Sequence, residues 1–486
     1  MRDKNLPLLL AVTLLASPVH AQQLPDRDHP PELGAPPALD LPPIHRLSLS
    51  NGLRVVLVEK HDVPLVQVNL VVGAGSVTDP ANGAGLASMT AEMLDEGAGD
   101  LGALDLSDEI DFLGASIRTG TGLHNSMVSL HVPLSKLDRA LELMSDIALR
   151  PTFSPAELDR QRLDRITTLV QWHDEARIIA GQLFNRTLYG RLHPYGMPEF
   201  GTEDDLRSMA SNDLRRFHES RYVPANSFLI VVGDVTSESV MPKLEAVFGW
   251  WTGGAPDRAE VPEVAQVGER RVYLVDKPGA AQSEIRIGRI GVPRLTDDYY
   301  PLLVMNTILG GSFASRLNMN LREDKGYSYG ARSSFSFRPA AGPFVARAAV
   351  QTDVTDSALV EFMNELRRIL EPVSDDELTR AKNFVALRFP GRFQTVSGVA
   401  NQLSELILYD LPDDYFNQYV QRVLAVTRED VQRVAREYID PERVAIIVVG
   451  DRSQVEEKIR ALNLGPIEVM SIEQVLGPVP EMAMRN

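Results

Sequence analysis

A chain of 486 residues is longer than one hydrophobic core usually supports, so two or more domains are expected. With 44% hydrophobic and 24% charged residues the composition is globular, and 49 Lys+Arg against 66 Asp+Glu, a net charge of −17, leave no general basic field to attract nucleic acid. Zero cysteines exclude disulfides, thiolate metal sites and a cysteine nucleophile.

In chain order, the first segment is MRDKNLPLLLAVTLLASPVHAQQ. Arg2 and Lys4, an apolar run from Leu6 to Ala16 and the small-residue site Val19-His20-Ala21 predict a secretory signal peptide over 1–21, cleaved after Ala21. The expected location is the periplasm, with no membrane anchor after cleavage, since no later apolar run is long enough to span. Residues 22–45, LPDRDHPPELGAPPALDLPP and its flanks, read as a proline-rich extended leader.

The body of the chain repeats itself. RVVLVEK at Arg54 returns as RVYLVDK at Arg271, and IVVGD at Ile230 returns at Ile447; 271 − 54 = 217 and 451 − 234 = 217. ELDRQR at Glu157 and ELTRAK at Glu377 are displaced by 220. Equal offsets at both ends indicate a duplicated unit of that length, hence two related domains, 46–250 and 269–475, joined by the Gly- and Pro-containing linker 251–268 and followed by a tail, 476–486.

Within the first copy, VQVNLVV from Val66 alternates as a strand with Val66, Val68, Leu70 and Val72 on one face. GAGLASMTAEMLDEGAGD from Gly83 places Leu86, Met89, Met93 and Leu94 on one helical face and Ser88, Ala91, Glu92 and Asp95 on another. Further amphipathic helices are predicted in LDRALELMSDIAL near Leu137, DELTRAKNFVALRF near Asp376 and REDVQRVAREYI near Arg428. Clustered strands with irregularly intervening helices favour an α+β architecture. In the second copy Phe313, Leu317 and Leu321 recur every four residues, so SFASRLNMNLREDK is predicted as a helix capped by Gly326, followed at once by the strand YSYGARSSFSF. Arg322 and Tyr329 are then expected to meet across the helix-to-strand turn.

All nine histidines lie at or before His218, and none forms a tight metal-binding pair. His173, beside Asp174 and Glu175, reads as part of an exposed polar helix face; His193 in HPYG reads as a turn residue; His124 and His131 read as ordinary sheet residues.

Five stretches in order carry a resemblance: SNGLRVVLVEKHDVPLVQVNLVVGAGSVTDP from Ser50, GRLHPYGMPEFGTEDDL from Gly190, RYVPANSFLIVVGDV from Arg221, ILGGSFASRLNMNLREDKGYSYGARSSFS from Ile308, and the run LPDDYFNQYV through IIVVGD from Leu411. From about Ile44 to about Leu464 the chain resembles the pitrilysin/insulinase family, the inverted-motif zinc peptidases, in its processing-peptidase-like form. The resemblance implies two homologous two-layer α/β halves of the mitochondrial processing peptidase / LuxS-like metallohydrolase fold, closed as a clam shell.

Zinc in that family is held by His-x-x-Glu-His on a helix, whose Glu is the base for metal-bound water, and by a further Glu on a later helix. The matching positions here are Ser88, Ala91, Glu92 and Thr168, so no metal is expected in this chain. A family Arg and Tyr seven residues apart, which bind the substrate backbone and stabilise the carbonyl oxygen, match Arg322 and Tyr329.

The resemblance therefore implies the non-zinc-binding subunit of a heterodimeric peptidase, lending Arg322 and Tyr329 to a zinc-bearing partner that cleaves unfolded peptides. The alternative is a catalytically inactive scaffold or peptide-binding protein of the same fold. An independently active zinc peptidase conflicts with Ser88, Ala91 and Thr168.

Overall fold

The computed structural model describes residues 41–481, and the signal-peptide reading, nearly all of the leader and the last residues of the tail lie outside that range. The repeated segments become the same strands of two sheets. In the first half β1 (His45–Ser48), β2 (Arg54–Glu59), β3 (Leu65–Val72), β4 (Ser116–Thr121), β5 (Ser126–Pro133) and β6 (Ser227–Gly233) form a sheet of order β1-β2-β6-β3-β5-β4. In the second half β7 (Arg271–Asp276), β8 (Gln282–Ile290), β9 (Ser328–Phe335), β10 (Pro343–Gln351), β11 (Ala445–Gly450) and β12 (Ile467–Met470) run β12-β7-β11-β8-β10-β9. RVVLVEK and IVVGD pair in parallel as β2 and β6, and their copies pair in parallel as β7 and β11. The sheets differ at one edge, where β1 lies antiparallel on β2 and β12 lies parallel on β7.

The helices predicted from periodicity form at Leu137–Leu149, Asp375–Arg388 and Arg428–Tyr438. The last two start at capping boxes: Ser374 with Glu377, and Thr427 with Asp430, each supply the orphan N–H groups of a first turn with side-chain acceptors.

Each sheet is covered on both faces. Val66, Val68, Leu70 and Val72 are completely buried against the first half's own helices, including Leu86–Glu92, Leu137–Leu149 and Ser237–Phe248. The opposite face carries Val56, Val58, Val71, Ile230 and Val232, and these pack with Val396, Val399, Ala400 and Leu403 of the helix Val396–Leu408, which belongs to the second half. Reciprocally, Ile179, Ala180, Leu183 and Phe184 of the first half's helix Ala176–Tyr189 cover Ala445, Ile447 and Val449 of the second sheet. The two helices are counterparts in the duplication, displaced by 396 − 176 = 220. The clam-shell halves thus meet by exchanging one helix each, which is why every residue of β6 and β11 is buried.

The linker is extended coil but not idle. Val261, Val264 and Val267 pack beneath the Ala176–Tyr189 helix, and Gln266 bridges to the backbone of Ile290. Beyond β12 the chain returns to the first half: Arg186 donates to the carbonyl of Val475 at 2.8 Å, and a ring nitrogen of His173 lies 3.1 Å from that of Gly477. Among the described residues no helix is long and apolar enough to cross a membrane.

Candidate functional site: a filled metal position and an exposed Arg/Tyr pair

The helix Leu86–Glu92 starts at Gly85, which is left-handed (φ 83°) and so close to the Phe200–Gly201 backbone that a Cβ would lie 2.7 Å from both Phe200 O and Gly201 N. Asp79 caps it from upstream, accepting from the backbone N–H of Gly85 at 2.8 Å and of Ala87 at 2.7 Å. Burial pushes the Asp79 carboxyl up to about 7, against the pull of those two hydrogen bonds and of the Arg165 charge. Leu86, Met89, Met93 and Leu94 are core residues as their spacing predicts, and Ala91, expected on the polar face, is 1% exposed.

What lies against Ser88 and Glu92 is a guanidinium. Arg165, on the helix Pro155–Trp172, is 2% exposed and donates through Nε to Glu92 Oε2 at 2.8 Å and through Nη1 to Ser88 Oγ at 2.9 Å and the Phe200 carbonyl at 3.2 Å. Its Cζ stands 4.6 Å from the Phe200 ring centre. Ser88 Oγ donates its own proton to the Glu199 carbonyl at 2.8 Å. Thr168, one turn along from Arg165, turns its hydroxyl back to the carbonyl of Asp164 at 3.0 Å.

These residues do not fit zinc. Ala91 has no donor atom, the hydroxyls of Ser88 and Thr168 are spent on backbone carbonyls, and Glu92 already answers a fixed cation that a divalent ion would have to displace. Among the described residues no group of three or more His, Asp or Glu is placed to hold a metal ion. Sequence reasoning missed Arg165, although it precedes Thr168 by three residues on one helix face and a carboxylate placed in a former metal shell demands some counter-charge.

The four histidines singled out in the sequence, His173, His193, His124 and His131, have structural partners. His173 is buried rather than exposed, because the returning C-terminal segment covers it. His193 occupies the expected turn, accepting from the Tyr195 N–H at 3.0 Å. His124 precedes β5 rather than lying within it and meets the Tyr195 hydroxyl at 2.7 Å; burial, aided by the Arg338 charge, holds its imidazole down to about 4. His131 lies on β5 against Gln67, on the face beneath the Val396–Leu408 helix, where Ser397 also reaches Gln67 at 2.8 Å.

In the second half the helix expected over SFASRLNMNLREDK forms only from Arg316, and its coil widens to a π-helical turn over Met319–Asp324. Leu317 and Leu321 are buried as predicted, whereas Phe313 lies ahead of the helix and is 59% exposed. Two buried anchors hold the segment. Arg316 makes a bidentate pair with Glu377 (2.7 and 3.0 Å), and Asn318 donates to the Phe313 carbonyl at 2.8 Å while accepting from the N–H of Ala331 on β9 at 3.2 Å. Gly326 ends the turn with φ 66°, and the Tyr327 N–H reaches back to the Leu321 carbonyl at 2.8 Å.

Arg322 and Tyr329 do meet. The Arg322 guanidinium lies 4.9 Å from the Tyr329 ring centre and 4.8 Å from that of Phe313, and pairs with Glu323 at 3.1 Å. Tyr329 is 88% exposed, and its hydroxyl has no hydrogen-bond partner among the described residues. Its direction comes from a bulge: Ala348 pairs with Ala331 and Val350 with Ser328, so Tyr329 and Gly330 together oppose Ala349. The extra residue carries Tyr329 to the side of the sheet away from buried Ala331. All of Arg165's partners come from the first half and all of Arg322's from the second, so the filled metal position and the aromatic pair are not in contact.

Two models of one protein family match successive parts of the chain. The model for Insulinase (Peptidase family M16) matches residues 54–190, and that for the Peptidase M16 inactive domain matches residues 208–385. The chain belongs to the insulinase family, peptidase family M16. It is 24% identical to an uncharacterized zinc protease of Mycobacterium leprae over 86% of this chain and 94% of that protein. Its fold matches a peptidase M16 inactive domain from Pseudomonas fluorescens with a TM-score of 0.79 at 23% identity, over 84% of this chain and 98% of the other. It also matches the periplasmic protease PqqL from Escherichia coli with a TM-score of 0.72 at 17% identity, over 88% of this chain but 50% of PqqL. Within the insulinase family, then, this chain has the family fold, and its helix Leu86–Glu92 carries a residue set that does not fit a metal ion.

Proposed function

We propose that this chain is the exported, non-zinc-binding subunit of a two-chain insulinase-family peptidase, presenting Arg322 and Tyr329 to a peptide bound at a homologous zinc-bearing subunit. The observation that carries the reading is the contrast between the two regions: a metal position closed by a buried guanidinium, and a rigidly sandwiched Arg/Tyr pair left open. PqqL, about twice the length of the matched region, has room for a second unit of this size in one chain. The signal-peptide pattern of residues 1–21 supports export.

In this role the Tyr329 hydroxyl donates to the carbonyl oxygen of the scissile bond as negative charge develops, and Arg322 offers a planar fork to the neighbouring backbone carbonyls. The Phe313 and Tyr329 rings fix the guanidinium before substrate arrives, so little reorganisation accompanies binding. Activation of water belongs to the partner. The substrate is an unfolded peptide held in extended form along a sheet edge; β9, which carries Tyr329, is an edge strand of the second sheet.

The test is peptide hydrolysis by the purified chain alone and mixed with a His-x-x-Glu-His homologue from the same organism. Activity is expected in the mixture only, and Tyr329→Phe should lower its kcat about a hundred- to a thousand-fold. Hydrolysis with stoichiometric zinc by this chain alone overturns the proposal. An inactive mixture of two folded chains favours the non-enzymatic scaffold, a reading to which the inactive-domain match also points.

A further inference from the structure

Residues directly opposite in neighbouring antiparallel strands project from the same face about 5 Å apart. Arg347 on β10 is opposite Arg286 on β8 and opposite Arg332 on β9, so three arginines stand in one row across three adjacent strands. The exchanged helix Ala176–Tyr189 covers the β8 end of this face. Arg286 packs over its Gly181 and donates to the Arg177 carbonyl at 2.9 Å. Arg347 and Arg332, beyond the helix, are exposed, and among the described residues no hydrogen bond or ion pair engages either.

Like charges in directly opposed positions destabilise a sheet. One carboxylate, Glu284, answers the row from 3.6 Å at Arg286, and Arg177 adds a further positive charge at its rim. In a protein of net charge −17, this is a local excess of positive charge on the very face to which the bulge turns Tyr329. The matching row of the first sheet, Asn69, Ser129 and Arg118, has no such excess.

We infer that the Arg332–Arg347 row is a specificity site for acidic peptides, taking the carboxylate of an Asp or Glu side chain of the substrate while Tyr329 contacts its backbone. The inference rests on the peptide-binding reading of Tyr329. A strand advances about 3.3 Å per residue, so Arg332 lies roughly 10 Å along β9 from Tyr329. The favoured acidic residue therefore stands about three positions from the carbonyl that Tyr329 contacts. Guanidinium forks engage carboxylates in bidentate fashion, and here two exposed arginines without an ion pair among the described residues stand directly opposite each other on neighbouring strands.

The experiment is fluorescence anisotropy of the full chain with labelled unstructured peptides that differ only in carrying Glu, Gln or Lys at successive positions. The Glu series should bind at least about fivefold more tightly than the Gln series, at one preferred position and with the gain falling as salt is raised. Arg332→Gln with Arg347→Gln should erase the gain, and Arg347→Glu should shift preference to the Lys series. Both side chains are exposed and unpaired, so the variants should fold, which circular dichroism checks. Equal affinity for Glu and Gln peptides overturns the inference. So does a double variant that keeps the preference but no longer associates with the zinc-bearing chain, which would make the row a subunit contact. Binding is read on this chain alone. A Glu preference without hydrolysis in the mixture sinks the two-chain proposal and leaves the inference standing, and hydrolysis without a Glu preference does the reverse.

Discussion

Arg165 fills the space beside Ser88 and Glu92 with a buried guanidinium. A guanidinium brings a permanent positive charge and directional donors to the place where a divalent ion would gather ligands, and Glu92 and Ser88 serve it as they would have served the ion. Arg165→Ala should cost about 2–3 kcal/mol in denaturant unfolding, limited by the ability of half-exposed Glu92 to return to water. Arg165→Lys should recover little of it, because a single ammonium cannot span Glu92, Ser88 and the Phe200 carbonyl. Asp79 adds a pH dependence at the same helix. Its carboxyl is raised from 3.8 to about 7, so the folded chain binds the extra proton between those values and stability falls as pH rises through that window. Asp79→Asn should flatten the slope across that window, as measured by thermal unfolding at fixed ionic strength. That the Leu86–Glu92 site carries Ser88, Ala91 and Glu92 rather than a metal-ligand set was legible in the sequence. Its occupant was not, because a buried arginine on a separate helix announces itself only through three-dimensional contact.

At the scale of elements, the repeats placed β2, β6, β7 and β11, and 3.6-residue periodicity found the helices Leu137–Leu149, Asp375–Arg388 and Arg428–Tyr438 but neither of the exchanged helices, Ala176–Tyr189 and Val396–Leu408. Periodicity failed at Phe313: a residue in phase with Leu317 and Leu321 was read into a helix that starts after it. Two further features escaped because both are pairwise between strands: the bulge that aims Tyr329 and the arginine row that depends on register. Close packing of the exchanged helix offers a sharp test. A Cβ on Gly288 of β8 would lie 2.0 Å from the Phe344 carbonyl oxygen and 2.7 Å from Cζ of Phe184 on that helix. Gly288→Ala should therefore lower stability by about 1–3 kcal/mol, with earlier amide exchange in Ala176–Tyr189 than in the Leu137–Leu149 helix.

For the molecule as a whole, the halves recognised in the sequence as two units are tied by their mutual helices, and the described residues form one compact body. Expressed alone, residues 41–256 would leave Val56, Val58, Ile230 and Val232 bare on one face of the first sheet, and should be recovered aggregated or unfolded. Proteolytic nicking of the folded chain at exposed Gly253-Gly254 should leave both fragments co-eluting on size exclusion with unchanged secondary structure. The exchange also bears on ancestry. Two copies of one unit, each donating the same helix to the other's bare sheet, make the self-complementary contact of a two-fold symmetric dimer. A single-copy ancestor with that helix would have had to find its twin at the mercy of dilution. Fusion through the linker replaces that search with a tether and an effective concentration on the order of millimolar. It also releases the two copies from identity, so that Arg165 in one half and the Arg322–Tyr329 contact in the other came under separate constraint.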